Sequence, residues 1–89
     1  MGRPRNNLEG RIGIEYVIPK QAEAHFQHQV GQVIREYRLR NDFTQQEAAD
    51  RYGCTLRYWQ FLEQGQNISL KAILKLAKVL DVKPSKLLE

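Results

Sequence analysis

The 89-residue sequence holds one cysteine, three prolines, one tryptophan and one methionine. A single cysteine, Cys54, cannot close an intrachain disulfide, so the expected setting is reducing and cytoplasmic. No apolar run approaches the ~20 residues that span a bilayer. The opening stretch MGRPRNNLEG has no apolar segment of the kind a secretory leader carries. No nucleophile stands beside a general base, and no glycine-rich phosphate loop is present, so the expectation is a protein that is not an enzyme and uses no cofactor. There are no internal repeats and no low-complexity tracts. A chain of this length makes one small domain, in which nearly every apolar residue at helical spacing is needed for the core.

What is present is a modest excess of positive charge, +4 overall, which favours a polyanionic partner. Residues 1–20 carry four basic and two acidic side chains, residues 21–69 five and six, and residues 70–89 five and two. The ends are basic and the middle is close to neutral, so charge alone does not establish nucleic-acid binding.

Residues 1–19 read as an N-terminal arm, with Ile12, Ile14, Tyr16 and Ile18 alternating in a strand-like stretch at 12–18. Residues 20–89 read as an all-α domain of five helices. Pro19 suits the first helical position. Phe26, Val30, Val33, Ile34 and Tyr37 form one apolar stripe, and Asn41-Asp42 ends the helix because Asn tolerates the left-handed conformation. Thr44 and Glu47 make a capping box for a short second helix. Glu47 and Arg51 are spaced as an ion pair within it. Gly53 stops that helix, Thr55 caps a third that ends before Gly65, and Ser69 caps a fourth. The core face of the fourth is read as Leu70, Ile73, Leu74, Ala77 and Leu80. Pro84 opens a last turn containing Leu87 and Leu88.

The informative unit is TQQEAADRYGCTLRYWQFLEQG, residues 44–65. Two short helices joined by a few residues containing glycine make a helix-turn-helix. Small Ala49 lets the helices approach. Gly53 turns the chain, and Cys54, Trp59 and Leu62 face inward. Leu56, Arg57, Tyr58, Gln60 and Phe61 are left on or near the outer face of the third helix, whose N-terminal part enters a major groove in proteins of this kind.

With Val30, Ile34 and Arg38 before this unit, and SLKAILKLAKVLDV and PSKLL after it, residues 30–89 resemble the phage repressor and Cro-like (lambda repressor-like) helix-turn-helix regulators. The resemblance implies sequence-specific binding of double-stranded DNA by a small transcriptional regulator of the phage repressor, restriction-modification controller or antitoxin type. It implies phosphate binding at Gln45, base contacts by Leu56, Arg57 and Phe61, and a buried structural ion pair between Arg38 and Glu63. Thr44, Tyr58, Gln60 and Asn67 are the further candidates for phosphate contacts. The sequence departs from the family pattern at Asp42 and Asp81, where glycine is usual, at Ala48, where leucine is usual, and at Leu56 and Phe61, where polar residues are usual. Apolar side chains touch a thymine methyl but cannot make the paired hydrogen bonds that discriminate bases.

Other residues carry two readings each. Arg3 and Arg5 suit a minor-groove arm or a plain basic tail. Lys71, Lys75, Lys78, Lys83 and Lys86 suit a solvated face. Trp59 reads as core before stacking platform, and Cys54 as buried packing before redox sensor. His25 and His28 have no third ligand nearby, so no metal site is expected. One module covers too little DNA for specific binding alone, so a homodimer is expected, through Leu87 and Leu88 with Val82, or through the 12–18 stretch. With the chain ending at Glu89, control is expected from concentration, a partner protein or proteolysis. The competing reading is a protein-protein interaction module that uses the aromatic face of the third helix.

Overall fold

The computed structural model describes residues 17–89. Arg3, Arg5 and residues 12–16 of the strand-like stretch lie outside the described residues. Val17 and Ile18 belong to no strand, and both are exposed. The described chain is all-helical: α1 spans Lys20–Arg40, α2 Gln45–Tyr52, α3 Leu56–Glu63 and α4 Leu70–Leu80, followed by a 3₁₀ segment at Pro84–Leu88. The fifth element is therefore a tight 3₁₀ segment, not an α-helix.

The helix ends follow from local chemistry, with three adjustments to the sequence reading. Pro19 is the N-cap of α1 and not its first helical residue; its carbonyl accepts from the amides of Ala22 and Glu23. Asn41, at φ −88°, is not the left-handed residue after α1. That residue is Asp42, at φ 58°. The Asn41 side-chain amide instead donates to the carbonyls of Tyr37 (2.8 Å) and Leu80 (2.9 Å), tying the C-terminal ends of α1 and α4 together. In α2 the capping box is complete: the Glu47 amide donates to Thr44 Oγ1 (3.0 Å) and the Thr44 amide to Glu47 Oε1 (2.8 Å). The Arg51 guanidinium lies over the Phe43 ring at 4.4 Å and makes no close ion pair with Glu47, though its charge still favours the Glu47 carboxylate.

Val30, Ile34, Trp59, Leu62, Ile73, Leu76, Leu80 and Leu87 form the core, with the alanines at 48, 49 and 77 at the close approaches. Phe26, read as part of the α1 stripe, is 51% exposed, at the rim of an open groove that it lines with Ile68, Leu70 and Leu88. In α4, Leu70 and Leu74 are exposed and Leu76 is fully buried. At ~100° per residue Lys71, Lys75 and Lys78 gather on one side of α4, and the side opposite them is the buried one, Ile73, Leu76, Ala77 and Leu80; Leu70 and Leu74 lie at its edge, toward the lysines. Leu87 is fully buried. It plugs the core and cannot serve as a dimer contact, whereas Leu88 remains exposed.

Helix α1 crosses the end of α3 at a point where no side chain fits. A Cβ on Gly31 would collide with the carbonyl of Glu63, and one on Gly65 (φ 82°) with the carbonyl of Gln27. This contact sets how the end of α3 sits on α1.

Candidate nucleic-acid interface

Two eight-residue helices, α2 and α3, are joined through Gly53 (φ 88°), whose amide donates to Ala49 O at 2.8 Å. Thr55 caps α3, accepting from the Tyr58 amide at 3.0 Å. Trp59 and Leu62 are fully buried against α1 and α2. At ~100° per residue, this inward pair leaves Arg57, Gln60 and Phe61 along the opposite side, with Leu56 and Tyr58 at its two margins.

The two helices are locked by a polar network centred on Glu63. Its carboxylate accepts from Arg38 Nε and Nη2, from Trp59 Nε1 at 2.6 Å and from Gln45 Nε2 at 3.0 Å. Arg38 also donates to Phe43 O at 2.8 Å. Both side chains of the Arg38–Glu63 ion pair are almost wholly buried. Four donors on one carboxylate compensate the charge that burial would otherwise penalise. Gln45, the first residue of α2, is then coupled to α3 a second time: Gln60 Nε2 donates to Gln45 Oε1 at 3.2 Å. The candidate phosphate residue at the start of α2 and the middle of α3 thus form one rigid unit. The Trp59 bond lies within α3, at the i,i+4 spacing, and was missed; the Gln60 bond was not legible in the sequence, because only the packing of α2 on α3 brings it to Gln45.

On the outer face, Leu56 and Tyr58 are partly exposed and Arg57 is exposed. Arg57 lies over the Phe61 ring at 5.1 Å. The Tyr58 ring is tilted against Tyr52 at 6.2 Å, and Lys75 Nζ lies over Tyr52 at 4.4 Å. Tyr58, Lys71 and Lys75 together border a shallow hollow between α3 and α4. Asn67, in the α3–α4 connection, takes the left-handed conformation (φ 61°) and lines an apolar groove with Phe26, Leu70 and Leu88. A polar hollow on the other side joins His28, Gln32 and Arg35 of α1 to Gln45, Gln60 and Gln64. No spacing rule pointed to these α1 residues.

Cys54 is half-buried in the turn, and burial pushes its thiol above the ordinary range. Burial likewise raises Tyr52. Glu47 is held below the usual carboxylate range, chiefly by the backbone amide and hydroxyl of Thr44. His25 and His28 lie on the exposed half of α1. Among the described residues, no group of three or more His, Cys, Asp or Glu side chains is gathered to hold a metal, and no helix is long and apolar enough to cross a membrane.

Residues 34–87 match the family model described as helix-turn-helix. Among solved structures, the chain is similar to the restriction-modification controller protein C.AhdI from Aeromonas hydrophila. The two share 39% identity over 68% of this chain and 94% of the other, with a TM-score of 0.63. No curated protein matches the sequence.

Proposed function

This chain belongs to the helix-turn-helix family of lambda repressor and Cro type, and from that premise we propose that it binds specific double-stranded DNA sites as a homodimeric transcriptional regulator. The observation that carries the reading is the rigid coupling of the α2 N-terminus to α3 through Gln45, Gln60 and Glu63, with Leu56, Arg57 and Phe61 turned outward. Phosphate is received at the start of α2, where free backbone amides and the Thr44 and Gln45 side chains favour an anion. With that helix end on the backbone, α3 lies in the major groove. Arg57 donates to guanine, and Leu56 and Phe61 make apolar base contacts. Gln60 and Tyr58, the latter beside Lys71 and Lys75, add phosphate contacts at the edges, and Asn67 is the candidate in the α3–α4 connection. Similarity to a restriction-modification controller supports a regulator of that kind.

For dimerisation, the exposed apolar side chains Phe26, Leu70, Leu74 and Leu88 supply a surface, in place of the buried Leu87. Two copies would set their recognition helices ~34 Å apart on one face of the duplex.

The test is affinity for random duplex DNA measured against salt. DNA binding gives a log–log slope of about −0.9 per phosphate neutralised. A flat response favours instead a protein-binding module, for which the half-exposed aromatics Tyr58 and Phe61 on α3 are the supporting observation.

A further inference from the structure

We infer that the outer face of α3 reads a guanine beside a thymine, recognises the thymine by its methyl group, and accepts 5-methylcytosine in the thymine's place. This rests on the DNA-binding reading above and adds to it the class of site recognised.

The inference starts from which readers on α3 are free. Gln60 carries an amide of the sort that pairs with adenine, but its Nε2 is donated to Gln45. Gln64 lies beyond the end of the helix, with its oxygen accepting from Gln66 Nε2 at 3.2 Å. Arg57 is the one charged side chain on the outer face, and it makes no hydrogen bond or ion pair among the described residues; its contact is with an aromatic ring. Its guanidinium lies over the Phe61 ring at 5.1 Å. A cation–π contact uses none of the N–H groups as hydrogen bonds to protein acceptors, so they stay available to donate twice to guanine O6 and N7. It also limits the rotamers Arg57 must give up on binding.

Two apolar side chains lie near Arg57 on α3. Leu56 precedes it and Phe61 follows one turn later. In the major groove the one apolar feature of a base pair is the thymine C5 methyl. Side chains four apart on a helix are about 5–6 Å apart at Cβ, and stacked base pairs are separated by about 3.4 Å. The Arg57 guanidinium and the Phe61 ring stand 5.1 Å apart, more than one step of about 3.4 Å and less than two, so a guanine at Arg57 and a methyl at Phe61 fall on neighbouring pairs. 5-Methylcytosine carries its methyl at the same ring position as thymine, and nothing apolar in this face distinguishes the two.

The experiment selects bound duplexes from a random pool, then titrates the selected duplex by fluorescence anisotropy at fixed salt. The thymine beside the guanine is replaced in turn by uracil, cytosine and 5-methylcytosine. Uracil removes the methyl and nothing else, so the protein is left untouched. Binding should weaken about four-fold with uracil, the worth of one buried methyl group. Methylcytosine should recover what cytosine loses. In Leu56→Ala/Phe61→Ala the difference between thymine and uracil should vanish while the salt slope persists, and Arg57→Ala should flatten the guanine preference. Selected sites without adjacent thymine and guanine, or equal binding of the thymine and uracil duplexes, overturn the inference and leave DNA binding standing. Failure to bind any duplex overturns DNA binding and the inference with it.

Discussion

Arg38 on α1 and Glu63 at the end of α3 stand 25 residues apart and meet as an ion pair whose side chains are 8% and 6% exposed. The pair joins α1 to α3 and holds Gln45 through the same carboxylate. Removing one partner leaves a buried charge without compensation. Arg38→Met or Glu63→Gln should lower unfolding stability by about 3–5 kcal/mol, measured by urea denaturation. A loss below about 1 kcal/mol would show that the buried pair does not bear on stability as argued here.

Leu87 and Leu74 separate core from surface. Leu87→Ala should cost about 2–5 kcal/mol, because the 3₁₀ segment carries it into the core. Leu74→Ser should leave stability within about 0.5 kcal/mol for the monomer and shift sedimentation toward monomer. Equal destabilisation by both would contradict the burial pattern.

Asp42 and Asp81 occupy left-handed backbone, at φ 58° and 57°. A non-glycine residue there costs ~1–2 kcal/mol, partly offset by the greater freedom that glycine gives the unfolded chain. Asp81→Gly should therefore raise stability by up to about 1 kcal/mol, read as a higher melting temperature. A lowered melting temperature would mean that the Asp81 side chain contributes more than its backbone costs.

The capping box predicts a pH dependence with a definite sign. Glu47 titrates below its ordinary range in the folded protein because Thr44 bonds its ionised form. Its contribution is complete above the ordinary carboxylate range and is lost as pH falls through the lowered folded value. Glu47→Gln should be less stable than the parent at pH 7, and the gap should close on acidification. A gap that widens toward low pH would reverse the assignment.

Burial holds the Cys54 thiol in its protonated form further into alkaline conditions than a free cysteine. Reaction with a thiol-specific disulfide reagent at pH 8 should be slower than for free cysteine, and should accelerate on unfolding in urea. Fast labelling of the native protein would place the sulfur in solvent.

Most of the helix ends were legible in the sequence, because caps and stops are short-range. Thr44, Thr55 and Ser69 each cap the helix that follows through an amide three residues on, and Gly53 adopts the left-handed turn that its missing side chain permits. The inward positions of Trp59 and Leu62 follow from the register of α3 in the same way. Three-dimensional packing decided what periodicity left degenerate. It left Phe26 half in solvent at the rim of an open groove and drew Leu87 inside. It also assembled the Arg38–Glu63–Gln45–Gln60 network, whose members come from three helices. Local patterns encode how one stretch of backbone satisfies its own hydrogen bonds. Contacts between stretches depend on the crossing of α1 over α3, where Gly31 and Gly65 let two backbones approach more closely than any side chain allows.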